Sequence, residues 1–203
     1  MKINFKIKKL ETFTNTYVSA VKLTMSDGSI GWGQMSTYYS DITCEIFHRQ
    51  IAPHAVGVSF SSFDELEDLV LRKEHKFPGS YLLRALAGLD TALWDWLGKF
   101  KGLPVVTLLG GTPGKIRAYG SSMKRDITPQ EEAQRLCNLR DKFGFNAFKF
   151  RIGSECGNGK DEWEGRTEEI IKVVPKALGT GVEKLVDANS CYLHKEAIEI
   201  GKK

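Results

Sequence analysis

The sequence predicts an α+β segment followed by a parallel α/β segment, and three observations carry that reading. Strand signals with a hairpin turn dominate residues 1 to about 60. A long helical stretch follows, with leucines recurring every three or four residues. After residue 114, strand and helix patterns alternate three times, the signature of βα units around a parallel sheet.

The elements follow in order. "INFKIKKLETF" alternates apolar and polar residues as a strand does. "TYVSAVKLTMSDGSIGWGQM" reads as two strands joined at "SDGS", where Gly28 tolerates positive φ. "FDELEDLVLRK" is helical, with Ser61 or Ser62 as its cap. In "SYLLRALAGLDTALWDWLGKFKG", Leu82, Leu86, Leu89, Leu93 and Leu97 form one apolar face, which stops near Gly98 to Gly102 and Pro104. Trp94 and Trp96 join that core by spacing, whereas Asp90 and Asp95 suit surface or interdomain hydrogen bonds. "LLGG" and "GTPG" are turns, because neither a GK[ST] nor a GxGxxG pattern accompanies them.

The second segment reads "KIRAYGSS" as strand and "TPQEEAQRLCNLRDKFG" as a helix capped by Thr128 with Pro129 in its first turn. "FNAFKFRIG" is the next strand, "DEWEGRTEEIIKVVPKALG" the next helix, "EKLVDANS" the third strand, and "HKEAIEIGKK" opens another helix. Right-handed crossovers suit either a doubly wound sheet or the opening of a (β/α)8 barrel. A complete barrel needs about 250 residues, so the 203-residue sequence is expected to be a fragment or one half of something larger.

Composition narrows the class. The chain is 41% hydrophobic and 27% charged with a net charge of +4, ordinary for a globular protein. Its basic clusters, "KIKKL" and "LRKEHK", are broken by apolar or acidic residues and fit a solvated surface, not a nucleic-acid partner. Cys44, Cys137, Cys156 and Cys191 are scattered without a CxxC pair, which suits reduced thiols in the cytoplasm. No signal-peptide core and no apolar run of membrane length is present, so no membrane association is expected.

Ligands of parallel α/β folds gather at the carboxyl ends of strands. There the sequence places Lys149 and Arg151, then Asp187 and Asn189, each pair two residues apart and hence on one strand face. Two cations beside a carboxylate and an amide suit an anionic substrate held with a hard divalent ion. A structural ion pair between Lys149 and Asp187 reads equally well. His194 at a helix start, and His48 and His54 near a helix-to-loop boundary, fit capping, packing or surface roles.

Four motifs in register, "MSDGSIGWGQ", "ALAGLDTALWDWLGKFKGLPVVTLLGG", "FKFRIG" and "LVDAN", resemble the N-terminal half of the enolase superfamily, in its mandelate racemase/muconate lactonizing group. The resemblance implies an α+β capping domain over residues 1–114, followed over 115–203 by the first three βα units of an incomplete (β/α)8 TIM-type barrel. It implies Mg2+ chemistry at the carbon next to a carboxylate, with Asp187 as the first of three metal carboxylates. Lys149 and Arg151 match a pair that is often Lys-x-Lys. Arginine is a poor proton acceptor, so both residues are expected to hold the substrate carboxylate and stabilise the enediolate. A base on the opposite face would take the proton. That favours dehydration of a sugar acid over racemisation. Asn189, Asn15 and Tyr39 are the expected substrate-binding residues, the last two from the early loops "TNT" and "STYYSD", although packing reads equally well for Tyr38 and Tyr39. With one metal carboxylate and no opposing base, the isolated chain is expected to be inactive. The rival expectation is a non-catalytic or split-chain module that needs a complementing chain. A homo-oligomer is the other assembly considered.

Overall fold

The computed structural model describes residues 3–203. Its contacts divide the chain into two compact units, Met1–Gly114 and Lys115–Lys203.

In the first unit, β1 (Phe5–Thr14), β2 (Ser19–Met25) and β3 (Ile30–Gln34) form a curled antiparallel meander. A short β4 (Ser59–Phe60) adds to the outer side of β1, giving the order β3-β2-β1-β4. β2 and β3 turn at Gly28, whose φ is +88°. A helical run links β3 to β4: α1 (Ser40–Ile46), a π-helical stretch (Phe47–Ile51) and α2 (Ala52–Ala55). His48 therefore lies inside this run, while His54 sits in its last turn, at the helix-to-loop boundary. Each has a partner, His48 Nε2 with Thr12 Oγ1 at 2.7 Å and His54 Nε2 with Glu74 Oε1 at 2.8 Å.

Next come α3 (Phe63–Lys73), capped by the Ser62 hydroxyl accepting from the Glu65 N–H, and α4 (Ser80–Lys101), ended by Gly102 in the left-handed region. All five leucines of the sequence stripe are buried, packed with Ile7, Val21, Leu23 and Met25 of the sheet. α4 also covers the free edge of β3. Asp95 accepts the Trp32 backbone N–H at 2.7 Å, and Thr91 Oγ1 accepts that of Gln34 at 3.3 Å. An edge strand left open would invite pairing with other chains, and here side chains of a helix satisfy it. So close an approach requires glycine on β3. A Cβ at Gly31 would lie 2.1 Å from the Ala92 carbonyl oxygen, and one at Gly33 2.2 Å from that of Gly88. A short α5 (Val105–Leu108) closes the unit.

α3 and α4 also bring two half-buried acids together. Burial, then the nearby Asp90 and Asp64 charges, push the Glu67 carboxyl above its ordinary range, and burial does the same to Asp90. A raised folded-state pKa means the protonated form is favoured on folding, so Glu67 weakens the fold once pH has risen through that pKa. Glu67→Gln is expected to raise the urea midpoint at pH 7. The gain should fade on acidification and vanish below about pH 4, where the acid is protonated in both states.

In the second unit, β5 (Gly120–Ser121), β6 (Ala147–Arg151) and β7 (Glu183–Asp187) form a parallel sheet in sequence order. α6 (Pro129–Phe143) and α7 (Arg166–Leu178) cross between them, and α8 (His194–Gly201) follows. Thr128 caps α6 with Pro129 in the first turn, in a reciprocal capping box with Glu131. Phe148 and Phe150 on β6 bury against Ala133 and Leu136 of α6 and Ile170 and Val174 of α7.

Three sequence boundaries move. "KIRAYGSS" yields two strand residues, because Gly120 pairs with Phe148 and β6 begins one residue before Phe148, leaving little strand opposite Lys115–Tyr119. The helix expected from Asp161 starts at Arg166, since Gly165 has φ +82° and the Asp161 carboxylate folds forward onto the Thr167 N–H and hydroxyl. β7 stops at Asp187, so the alternation that placed Asn189 on its face does not reach Asn189, which has φ +48°.

β7 has no strand on its outer side among the described residues, and Val186 there is 51% exposed. The chain alone is expected to self-associate through this edge, and Val186→Lys to shift it toward monomer in light scattering. A monodisperse wild-type chain at high concentration would contradict this.

Candidate active site

Lys149 and Arg151 leave β6 on one face while Phe148 and Phe150 take the other. That alternation lets a buried strand carry two cations. Arg151 lies opposite Asp187 in the β6–β7 register, and Lys149 reaches the same carboxylate from two residues earlier. Lys149 Nζ donates to Asp187 Oδ2 at 2.8 Å, and Arg151 Nη1 donates to the same oxygen at 2.5 Å. Asp187 Oδ1 accepts the Asn189 N–H at 2.9 Å. The hydrogen bond from Lys149 holds the Asp187 carboxyl below the ordinary aspartate range, aided by the Asn189 N–H and the Arg151 charge, with burial opposing.

Two cations against one carboxylate leave this strand end with a net positive charge. Arg151 is buried, and its Nη2 meets Met123 Sδ at 3.1 Å. Its Nε has no hydrogen-bond partner among the described residues. An anionic group brought here would meet a partly desolvated, positive site, where electrostatic contacts are strong. The expected structural ion pair is present, and the same three residues retain spare positive charge.

Asn189 joins the group through its backbone; its side-chain Nδ2 turns to Glu155 Oε1 at 3.3 Å. Asn15 and Tyr39 lie in the first unit. They border an open depression of about 700 Å³ with Tyr17, Tyr38 and Asp41. Asn15 Oδ1 accepts the Tyr17 and Val18 N–H groups at 2.8 and 2.9 Å, so its oxygen shapes the loop. Tyr39 is 66% exposed, with φ +51°.

A hard dication needs several oxygen ligands. At the β6–β7 strand ends Asp187 is the carboxylate, with one oxygen already engaged by two cations. Among the described residues no group of three or more His, Cys, Asp or Glu side chains converges. These residues alone therefore do not make a magnesium site. Likewise, no helix among the described residues is long and apolar enough to cross a membrane.

Residues 5–110 match the family described as mandelate racemase / muconate lactonizing enzyme, N-terminal domain. The chain belongs to this family. Its first unit carries the family's N-terminal domain fold. Among curated members, the arabinonate dehydratase of Saccharolobus solfataricus is 29% identical over 196 residues, covering 92% of this chain and 49% of that protein. The D-galactarolactone cycloisomerase of Agrobacterium fabrum is 37% identical over 123 residues, covering 59% and 30%. A crystal structure from Roseobacter denitrificans, described as a candidate racemase, is 58% identical with a TM-score of 0.93, covering 97% of this chain and 54% of that one. A mandelate racemase/muconate lactonizing protein of Paracoccus denitrificans, complexed with magnesium, is 25% identical with a TM-score of 0.86, covering 98% and 55%. The chain spans about half the length of the curated relatives it matches, 49% and 47% of two dehydratases.

Sequence reasoning passed over Arg166, a fully buried arginine at the first position of α7. The one signal was its placement: a cation at a helix N-terminus opposes the helix dipole. It also passed over buried Glu132, which Arg135 grips with two nitrogens at 2.8 and 2.9 Å while its Nη2 donates to Ser122 Oγ at 2.7 Å.

Proposed function

We propose that the chain is the N-terminal portion of a sugar-acid dehydratase, in which Lys149 and Arg151 bind the substrate carboxylate and stabilise the enediolate formed when the adjacent carbon loses its proton. The observation that carries this reading is the convergence of Lys149 Nζ and Arg151 Nη1 on one oxygen, Asp187 Oδ2. A substrate carboxylate is the same chemical group as the one these donors already hold. As the proton leaves, charge builds on the carboxylate oxygens, and preplaced donors stabilise it without reorganising. Arginine does not accept that proton, so the base is supplied from elsewhere, on the opposite face of the substrate. The enediolate electron pair then forms the α–β double bond as the β-hydroxyl takes up a proton and leaves as water, and the resulting enol becomes a 2-keto-3-deoxy acid.

On this reading the second unit is the start of a (β/α)8 barrel, and Asp187 gives one ligand to a Mg2+ whose other ligands lie outside these residues. Asn189 is the further candidate for contact with the substrate hydroxyls in this unit, and Asn15 and Tyr39 are the candidate substrate ligands of the first unit. The 203-residue chain by itself is expected to show no turnover, with or without magnesium.

The test is to complement the chain with the remaining portion of the Roseobacter denitrificans protein and assay a panel of sugar acids for keto-deoxy product. Product formation abolished by EDTA is expected. Racemisation with α-proton exchange from both faces would sink the dehydratase reading, as would no reaction of any sugar acid in a folded complex.

A further inference from the structure

Arg166 is fully buried, yet no carboxylate forms an ion pair with it among the described residues. Its guanidinium stacks on the Trp163 ring, 5.1 Å from the centroid. Nη1 donates to the Arg151 carbonyl at 3.1 Å and Nε to the Ile127 carbonyl at 3.3 Å, while Nη2 has no partner among the described residues. Burial pulls its pKa below the usual arginine range, against the favourable charges of Asp161, Glu132 and Glu162. A cation kept here costs stability that an apolar side chain of similar length would not.

The geometry shows what that cost obtains. In a parallel ladder, residues two apart direct their carbonyls toward the same neighbouring strand. The Lys149 carbonyl accepts the Ser122 N–H, just past β5. The Arg151 carbonyl points beyond the end of β5, where the ladder offers it no N–H, and Arg166 supplies one. The next residues are held as well. Arg125 Nε donates to the Gly153 carbonyl at 3.2 Å, and the Gly153 N–H donates to Thr167 Oγ1 at 2.9 Å.

We propose that Arg166 is a positioning residue: by bridging the Arg151 and Ile127 carbonyls it fixes the carboxyl end of β6, and so the direction in which Arg151 presents its guanidinium. The inference rests on the reading of Arg151 as a substrate ligand. A planar fork with two parallel donors can serve two carbonyls at once, and a lysine cannot match it.

The experiment is side-chain 15N relaxation of the Arg151 Nε–H in the 203-residue chain, for the wild type, R166M, R166K and V174A. V174A empties a core position of the same helix without touching the strand end. In R166M the Arg151 Nε–H order parameter is expected to fall clearly below the wild-type value, into the flexible range of about 0.6 or less. R166K should restore part of it, and V174A should leave it unchanged despite a lower melting temperature. Equal loosening in R166M and V174A would make Arg166 a merely structural residue, and an unchanged order parameter in R166M would overturn the proposal outright. If R166M does not fold, R166K decides: a reduced order parameter supports the proposal and a wild-type value refutes it. The measurement needs neither substrate nor metal, so its failure is distinct from failure of the dehydratase reading.

Discussion

Lys149→Met in the complemented enzyme is expected to lower kcat for sugar-acid dehydration by about 10²–10³-fold, the usual effect of removing one preplaced oxyanion donor. Arg151→Met should cost at least as much, because Arg151 is the more buried of the two cations and its Nη1 makes the shorter contact, 2.5 Å against 2.8 Å. The two effects should not add, since both donors serve one group and either loss frees Asp187 to reorient. Arg151→Lys is a sharper probe than Arg151→Met. It keeps the charge but loses the planar fork, so a partial loss indicates directional binding of a carboxylate. Steady-state kinetics on circular-dichroism-checked variants decide the matter. Activity within twofold of wild type in either methionine variant would remove that residue from the site.

Gly33→Ala is expected to destabilise the first unit by about 3 kcal/mol, the upper end of the usual cost of overpacking. The new methyl would meet the Gly88 carbonyl oxygen at 2.2 Å, Thr91 Oγ1 at 2.5 Å and the Ala92 nitrogen at 2.6 Å. Two of these three are backbone atoms of α4, which cannot swing aside as a flexible side chain would. β3 must therefore part from α4, which also breaks the hydrogen bonds that Thr91 and Asp95 give its edge. Gly28→Ala is the control. Among the described residues nothing lies within 4 Å of a Cβ there, so its cost is the positive φ alone, about 1–2 kcal/mol. Urea denaturation of the two variants would show a large shift for the first and a small one for the second. Comparable shifts would mean that the β3–α4 contact is looser than described.

Periodicity by itself determined the layout of this protein. The leucine stripe of α4, the Thr128 cap of α6, the Gly28 turn and the three strand–helix alternations were legible because each depends on residues within a few positions of one another. So was the placement of Lys149 and Arg151 on one face of β6, since strand geometry repeats every two residues. The same rule failed at Asn189, where a left-handed backbone ended the alternation two residues past Asp187. Only the tertiary structure decided the rest. That Gly31 and Gly33 make room for α4, that Asp95 and Thr91 close the edge of β3, and that both cations share Asp187 Oδ2 all depend on residues 36 or more positions apart. Arg166 is the clearest case. In sequence it is a cation at an unfavourable helix position, and it acquires a purpose only because folding leaves the Arg151 carbonyl beyond the end of a two-residue strand. Local patterns record the conformation each segment prefers; which segments meet, and what their unpaired groups then require, is set by burial of a shared core.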